Sequence, residues 1–266
     1  MDVASAGRLV AQPDRVVTEE PMEIRVHGPG QAAEPLAVTM RTPGHDFELA
    51  AGFCHTEGVL TGAADLRDVR YCLGEQGRQE YNVVTVGLRS PVALPERRRA
   101  FVANASCGLC GAAELDQVVR TVAPVGSGVT VPLSTLLSLP DRLRDAQSVF
   151  DATGGLHAAA LFDREGCLEV LREDVGRHNA LDKVVGQALM QGRLPLAASV
   201  LVVSGRVSFE IVQKSAVAGI PVLAALSAPS SLAIAAARRL GQTVVGFLRE
   251  GRGNVYSHAA RVDAAA

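Results

Sequence analysis

Val200-Leu201-Val202-Val203-Ser204-Gly205-Arg206 opens the stretch whose reading decides the fold. Four apolar, mostly β-branched residues bounded by Ser-Gly are the mark of a strand buried on both faces. The pattern then alternates. Residues 209–218 have helical spacing, 222–226 are again a short apolar strand, 232–240 a helix and 244–248 a third strand. Short apolar strands joined by right-handed helical crossovers predict a parallel sheet covered by helices on both sides. Ligands of such sheets bind outside the carboxyl ends of the strands. The three ends carry Ser204-Gly205-Arg206, Ser227-Ala228-Pro229-Ser230 and Phe247-Leu248-Arg249. Two of them lead directly into helix N-termini, whose free N–H groups suit a phosphate.

Working outward, residues 157–162 and 167–171 read as a hairpin around Asp163-Arg164-Glu165-Gly166. A helix over 175–190 follows, with Asp174 as its expected N-cap. Pro132 sits at the first-turn position of a helical stretch that closes at Gly154-Gly155. Earlier, the alternating segments 22–27 and 36–41 form a strand pair, a helix runs from 47 to about 58, and strands are expected at 69–73 and 81–88. The expected organisation is α/β: a smaller N-terminal α+β domain over 15–100, a loop and helix over 101–131, and a layered domain with a mixed sheet over 132–262. Its order of helix, hairpin, helix and β-α-β-α-β looks like a deaminase-type scaffold without the metal site. The chain through Asp14 and after Val262 is expected to be loose.

Composition narrows the function classes. With 266 residues, 48% of them hydrophobic, the chain can bury a full core. A net charge of -2 gives no electrostatic footprint for nucleic acid. No apolar run of about 18 residues and no signal-peptide order predict a cytoplasmic protein away from membranes. Five cysteines in so long a chain do not make a disulfide framework, so reduced thiols are expected. Cys54, Cys72 and Cys167 lie in apolar or strand-like sequence and read as small buried hydrophobes.

The chemistry concentrates in Ser106-Cys107-Gly108-Leu109-Cys110-Gly111. Two thiols share one loop, glycines leave the sulfurs uncovered, and Leu115, Val118 and Val119 mark an amphipathic helix just beyond. A thiolate is favoured near a helix N-terminus. Zinc is not expected: His55-Thr56-Glu57 with Cys107 and Cys110 mimics the deaminase pattern, but Ser106 replaces its proline and the order of elements is wrong. A thioredoxin-like role lacks the apolar strand before the first cysteine. The densest polar run, from Arg172-Glu173-Asp174 through Arg177-His178-Asn179 to Asp182-Lys183, fits either a capped helix with ion pairs or a ligand site at a loop mouth. His157 fits either a structural role or a partner to a thiol.

These residues, taken in order, resemble the FdhD family of formate dehydrogenase accessory sulfurtransferases. The likeness rests on Met40-Arg41-Thr42-Pro43-Gly44, Gly52-Phe53 with Glu57-Gly58, the two-cysteine loop, Thr153-Gly154-Gly155-Leu156-His157 and the run from Arg172 to Lys183. It continues through Ser204-Gly205-Arg206 with Ser208, Glu210 and Lys214, then Ser227-Ala228-Pro229, and Gly246-Phe247-Leu248-Arg249 with Asn254-Val255-Tyr256. The resemblance implies a carrier that takes persulfide sulfur from a cysteine desulfurase and passes it to the molybdenum of the bis(molybdopterin guanine dinucleotide) cofactor. That cofactor is cargo, bound before it enters apo-formate dehydrogenase. By the same resemblance Cys107 bears the persulfide, Cys110 assists, and Phe247, Leu248, Arg249, Glu250, Gly251 and Arg252 bind the cofactor. The family fold is a cytidine-deaminase-like domain with a smaller N-terminal domain, usually as a homodimer. Ser204, Gly205, Arg206, Ser227 and His178 join the expected site from their positions at strand and helix ends, where the guanine nucleotide end would lie. A non-catalytic chaperone of the molybdenum cofactor, and more remotely a thiol redox protein, are the competing readings.

Overall fold

The computed structural model describes residues 1–5, 7–73, 79–92, 122–126 and 128–265. Its first element is an antiparallel hairpin, β1 (Asp2–Ser5) with β2 (Arg8–Ala11), in a stretch expected to be loose. Next come β3 (Glu20–His27), β4 (Glu34–Arg41), α1 (Asp46–Thr56), β5 (Leu66–Leu73) and β6 (Gln79–Leu88). The four longer strands form one sheet in the order β4-β3-β6-β5, with β3 and β6 parallel. Alternation in β3 buries Met22, Ile24 and Val26, and α1 covers that face with Leu49, Phe53 and Cys54. This is the strand, strand, helix, strand, strand unit the pattern predicts.

The second unit runs β7 (Val131–Pro132), α2 (Leu133–Ala146), α3 (Ser148–Thr153), β8 (His157–Phe162), β9 (Leu168–Asp174) and α4 (Arg177–Met190). It continues with β10 (Val200–Val203), α5 (Phe209–Val217), β11 (Val222–Ala225), α6 (Ser231–Leu240), β12 (Thr243–Arg249), β13 (Arg252–Ser257) and β14 (Val262–Asp263). Six strands make a mixed sheet in the order β13-β12-β11-β10-β8-β9, with β10, β11 and β12 parallel. One face, with Leu201, Val203 and Leu223, packs on α4, α5 and α6. The other, with Val200, Val202 and Val222, packs on α2 through Leu136, Leu139 and Leu143. Every residue of β10 and β11 is buried, as their unbroken apolar sequence requires.

The two units meet where α1 crosses α4. A Cβ on Gly52 would stand 1.8 Å from the Asp182 carbonyl oxygen, and one on Gly186 would stand 1.8 Å from that of Glu48. Only glycine at both positions lets the helix backbones touch. Around this crossing lies a polar junction. Lys183 Nζ pairs with Asp174 Oδ2 at 2.7 Å and donates to the Thr42 carbonyl at 2.9 Å. Asn179 Nδ2 donates to the Met40 carbonyl at 2.7 Å, and its Oδ1 accepts from Thr39. Buried polar groups persist only when bonded in this way.

Several expectations are corrected. Asp174 ends β9 rather than capping the helix; Gly176 is the N-cap, and the Asp174 carboxylate accepts from the Gly176 N–H and pairs with Lys183. The long helix after Pro132 breaks at Gln147 into α2 and α3. Cys167 is exposed, because its N–H closes a turn onto Asp163 Oδ1 before the strand starts at Leu168; Cys54 is buried and Cys72 half-buried. The unexpected β13 carries mainly exposed residues and so lacks an apolar period. It forms because Glu250 and Gly251 both take positive φ, the tight turn whose twist matches a hairpin. After Val262 the chain still pairs, β14 lying parallel to β7.

Candidate functional site

The carboxyl ends of β10, β11 and β12 are hydrogen-bonded to one another beyond the strands. Val207 N–H donates to the Ala228 carbonyl at 3.2 Å, Ser230 N–H to that of Val207 at 2.9 Å, and Phe247 N–H to that of Ser227 at 3.1 Å. Ser204-Gly205-Arg206, Ser227 to Ser230 and the 247–252 segment thus form one continuous edge, as the sequence predicts. Ser204 ties the edge to β8, its N–H donating to the Ala158 carbonyl and its Oγ accepting from the Ala158 N–H at 2.9 Å. Because β8 runs antiparallel to β10, its first residue, His157, joins this edge. His157 pairs with Asp174 at the end of β9, which leads into α4.

Phe247 is the most unusual residue here. It is half-buried, stands in a bulge between Gly246 and Arg249, and has φ 52. A bulky residue in the left-handed region costs on the order of 1–3 kcal/mol and persists only where its surroundings hold it. Gly246 makes this possible, since a Cβ there would meet Pro229 Cδ at 2.7 Å. Arg249, Glu250, Gly251 and Arg252 are exposed at the hairpin tip. Leu248 differs from its expected role: the residue is fully buried against the α2 face and offers no accessible surface to a ligand.

At the other end of the edge, α4 and α5 start side by side without side-chain caps. His178 Nε2 lies 3.3 Å from Ser208 Oγ and 3.9 Å from Glu210 Oε2. Burial, with Arg177 beside it, holds the His178 imidazole down at about 4. Burial, Arg177 and Arg206 likewise hold His157 below its ordinary range. Burial acts upward on Glu210, but bonds from Ser208 and its own N–H, with His178 and Arg177 nearby, outweigh it and keep the carboxyl low. The two imidazoles are therefore neutral at pH 7, and the positive charge of this end belongs to Arg177 and Arg206.

The polar run from Arg172 to Lys183 divides in two. Arg172 binds Glu48, Asp174, Asn179 and Lys183 form the junction, and Asp182 bonds Thr56 and Lys214. Those residues hold the units together. Arg177 and His178 alone face the strand edge. Sequence reasoning placed His178 in the site, left Arg177 and His157 open between structural and functional roles, and left Ser208 and Glu210 out. The pairing of β8 with β10, which brings His157 into place, has no local signal. Cys107 and Cys110 lie outside the described residues, and among those residues no group of His, Cys, Asp or Glu could hold a metal. Nor is any helix among them long and apolar enough to cross a membrane.

A family model described as the FdhD/NarQ family matches residues 17–263, from just before β3 to the end of β14. The chain belongs to this family. It is 53% identical over 264 residues to the sulfur carrier protein FdhD of Mycolicibacterium paratuberculosis, covering 97% of this chain and 95% of that one. It is 54% identical over 264 residues to the protein of the same name from Streptomyces avermitilis, covering 96% and 92%. A crystal structure of a candidate formate dehydrogenase accessory protein from Desulfotalea psychrophila superposes with TM-score 0.76 at 26% identity, over 99% of this chain and 97% of that one. The chain thus shares its mixed α/β fold with that accessory protein over nearly its full length.

Proposed function

We propose that this protein is a sulfurtransferase that carries sulfur as a persulfide on Cys107 and delivers it to the molybdenum of bis(molybdopterin guanine dinucleotide). In the accepting step the Cys107 thiolate attacks the outer sulfur of a cysteine desulfurase persulfide. A sulfur–sulfur bond forms on Cys107, the one on the donor breaks, and the donor leaves as a thiolate. Cys110 assists as the second nucleophile of the loop. The guanine nucleotide end of the cofactor lies along the joined strand ends, with the half-exposed Phe247 ring offered to the base and Arg249 and Arg252 adding charge. The sulfurated cofactor then passes to apo-formate dehydrogenase. The scaffold is of the cytidine-deaminase type, the active form a homodimer, and the compartment the cytoplasm.

The observation that carries this reading is the joined edge. Three separate loops are hydrogen-bonded into one edge that includes the positive-φ Phe247, in a chain whose relatives are named sulfur carrier protein FdhD. The test is intact mass after incubation with a cysteine desulfurase and cysteine. One added sulfur, removable by a reductant and absent in Cys107→Ser, is expected. No added sulfur would overturn the covalent reading and leave a chaperone that only binds the cofactor.

A further inference from the structure

A cavity of about 770 Å³ lies between the end of α1 in the first unit and the end of α5 in the second. Its size is that of a small-ligand site. The strand edge lies where α5 begins, so the nine residues of that helix separate the two places by about 13 Å. The cavity walls are pinned by backbone bonds. Val59 and Leu60 N–H both donate to the Cys54 carbonyl, Leu196 N–H donates to that of Ala218 at 2.9 Å, and Val125 N–H to that of Leu240 at 2.9 Å. Leu60, Val122 and Val217 make one side apolar. Among the described residues that line the cavity there is no lysine or arginine, and Glu57 is the one carboxylate. Glu57 Oε1 accepts from Lys214 Nζ at 2.9 Å, whereas Oε2 has no partner among the described residues and the side chain is 26% exposed. Gln213 is half-buried, and its amide is likewise unpaired among the described residues. Nearby cations are committed: Lys214 spends its three protons on Thr56, Glu57 and Asp182, and Arg261 bonds the Gly126 and Gly241 carbonyls. His55, held below its ordinary range by burial, is neutral at pH 7. Asp65, which accepts from the Thr61 N–H at the rim, adds a second negative charge.

We propose that this cavity binds an organic cation, a primary ammonium or guanidinium group on an aliphatic stem, with the head against Glu57 and Gln213 and the stem along Leu60, Val122 and Val217. Two helices end here, and a helix C-terminus favours positive charge. A free carboxylate oxygen and an amide oxygen both accept from such a head, and charge-assisted hydrogen bonds are roughly twice as strong as neutral ones. An anionic ligand would instead meet Glu57 with no uncommitted cation to offset it. The head can belong to a free alkylamine or to a lysine or arginine side chain of a protein segment, since the recognising chemistry is the same. The cavity shares α5 with the strand edge but no lining residue, so it stands whether or not that edge holds the cofactor.

Titration calorimetry on the full chain compares hexylamine with hexanol, its neutral counterpart, and with the blocked peptide acetyl-Ala-Arg-Ala-amide. Hexylamine is expected to bind about tenfold or more tighter than hexanol. Glu57→Gln, which keeps an acceptor for Lys214, is expected to weaken hexylamine by about tenfold and leave hexanol within about twofold. Gln213→Ala is expected to weaken the amine to a smaller extent. Ala197→Phe, at an exposed position on the cavity wall, is expected to weaken every ligand and keeps the test available should Glu57→Gln melt early. A peptide that binds tighter than hexylamine and is lost in the same variants would support the site and give its source as a protein side chain. The reverse order would support the site and give a free amine. Equal affinity for hexylamine and hexanol, amine affinity within about twofold of wild type in both Glu57→Gln and Ala197→Phe, or no saturable binding of either cation below about 10 mM would each overturn the inference.

Discussion

Replacing Lys214 with methionine tests the contact that holds α1, α4 and α5 together beneath the candidate site. Nζ donates to Thr56 Oγ1 at 2.8 Å, Glu57 Oε1 at 2.9 Å and Asp182 Oδ2 at 3.0 Å, so all three ammonium protons are used. It also lies 5.1 Å from the centroid of the Phe53 ring. Thr56 Oγ1 in turn donates to Asp182 Oδ1 at 2.8 Å. Methionine keeps the length and apolar stem but none of the donors. Asp182, only 1% exposed, would then retain one hydrogen bond and no counter-charge. Breaking one side of a buried ion pair costs about 3–5 kcal/mol. At about 2–4 °C per kcal/mol for a chain of this size, the melting temperature should fall by about 6–20 °C.

The pH dependence of that loss identifies its cause. Burial pushes the Asp182 carboxyl above its ordinary range even with Lys214 present. In Lys214→Met it rises further, and a carboxyl raised in the folded state contributes stability below its unfolded value that is lost as pH rises through the folded one. The variant's loss relative to wild type should therefore shrink as pH falls from neutral towards the ordinary carboxylate range. Burial works against the Lys214 charge, but Asp182 and Glu57 outweigh it and raise the ammonium, so the wild-type advantage persists through neutral pH and fades only above the ordinary lysine range. Lys214→Met/Asp182→Asn, which removes both charges, should regain at least half of the loss in urea unfolding followed by circular dichroism. A single-variant loss under about 1 kcal/mol, or a double variant as unstable as the sum of its parts, would refute the argument.

Gly186→Ala should cost about 3 kcal/mol or more, since its methyl would overlap the Glu48 carbonyl and force α1 away from α4; an unchanged melting curve would contradict the close crossing. Acid should destabilise the protein between about pH 6.5 and 4, because His178 stays neutral to about 4 when folded yet takes up a proton from about 6.5 when unfolded. His55 and His157, also lowered chiefly by burial, act in the same direction, and His178→Gln should flatten the decline in a pH series of melts. Cys107→Ser should abolish sulfur acceptance with melting unchanged and Cys110→Ser should weaken it equally or less, both read by intact mass.

Much of the fold could be read locally because apolar sequence leaves little choice. Four consecutive buried residues in β10 and in β11 can only lie between two layers, and the strand ends then fall on one edge without further assumption. Gly52 and Gly186 were beyond such reading. Glycine within a helix signals only a propensity loss of about 1 kcal/mol until a second helix is known to press against it. Sequence separation limits the polar residues in the same way. Asp174, Asn179 and Lys183 bond to residues 39–42, more than 130 positions away, while Arg177 in the same run faces the strand edge.

A charged side chain in a first helical turn has the same local sequence whether its partner is a ligand or a distant strand. What separates the two cases is the state of its donors once packing is complete. Lys183 bonds Asp174, the Thr42 carbonyl and the Glu173 carbonyl, and any ligand would have to displace one of them. Among the described residues the buried Nε of Arg177 has no partner, and a donor left so costs roughly 1–3 kcal/mol. A ligand site is therefore marked by donors that stay both unpaired and accessible once packing is complete, a property of the folded chain that no local sequence carries.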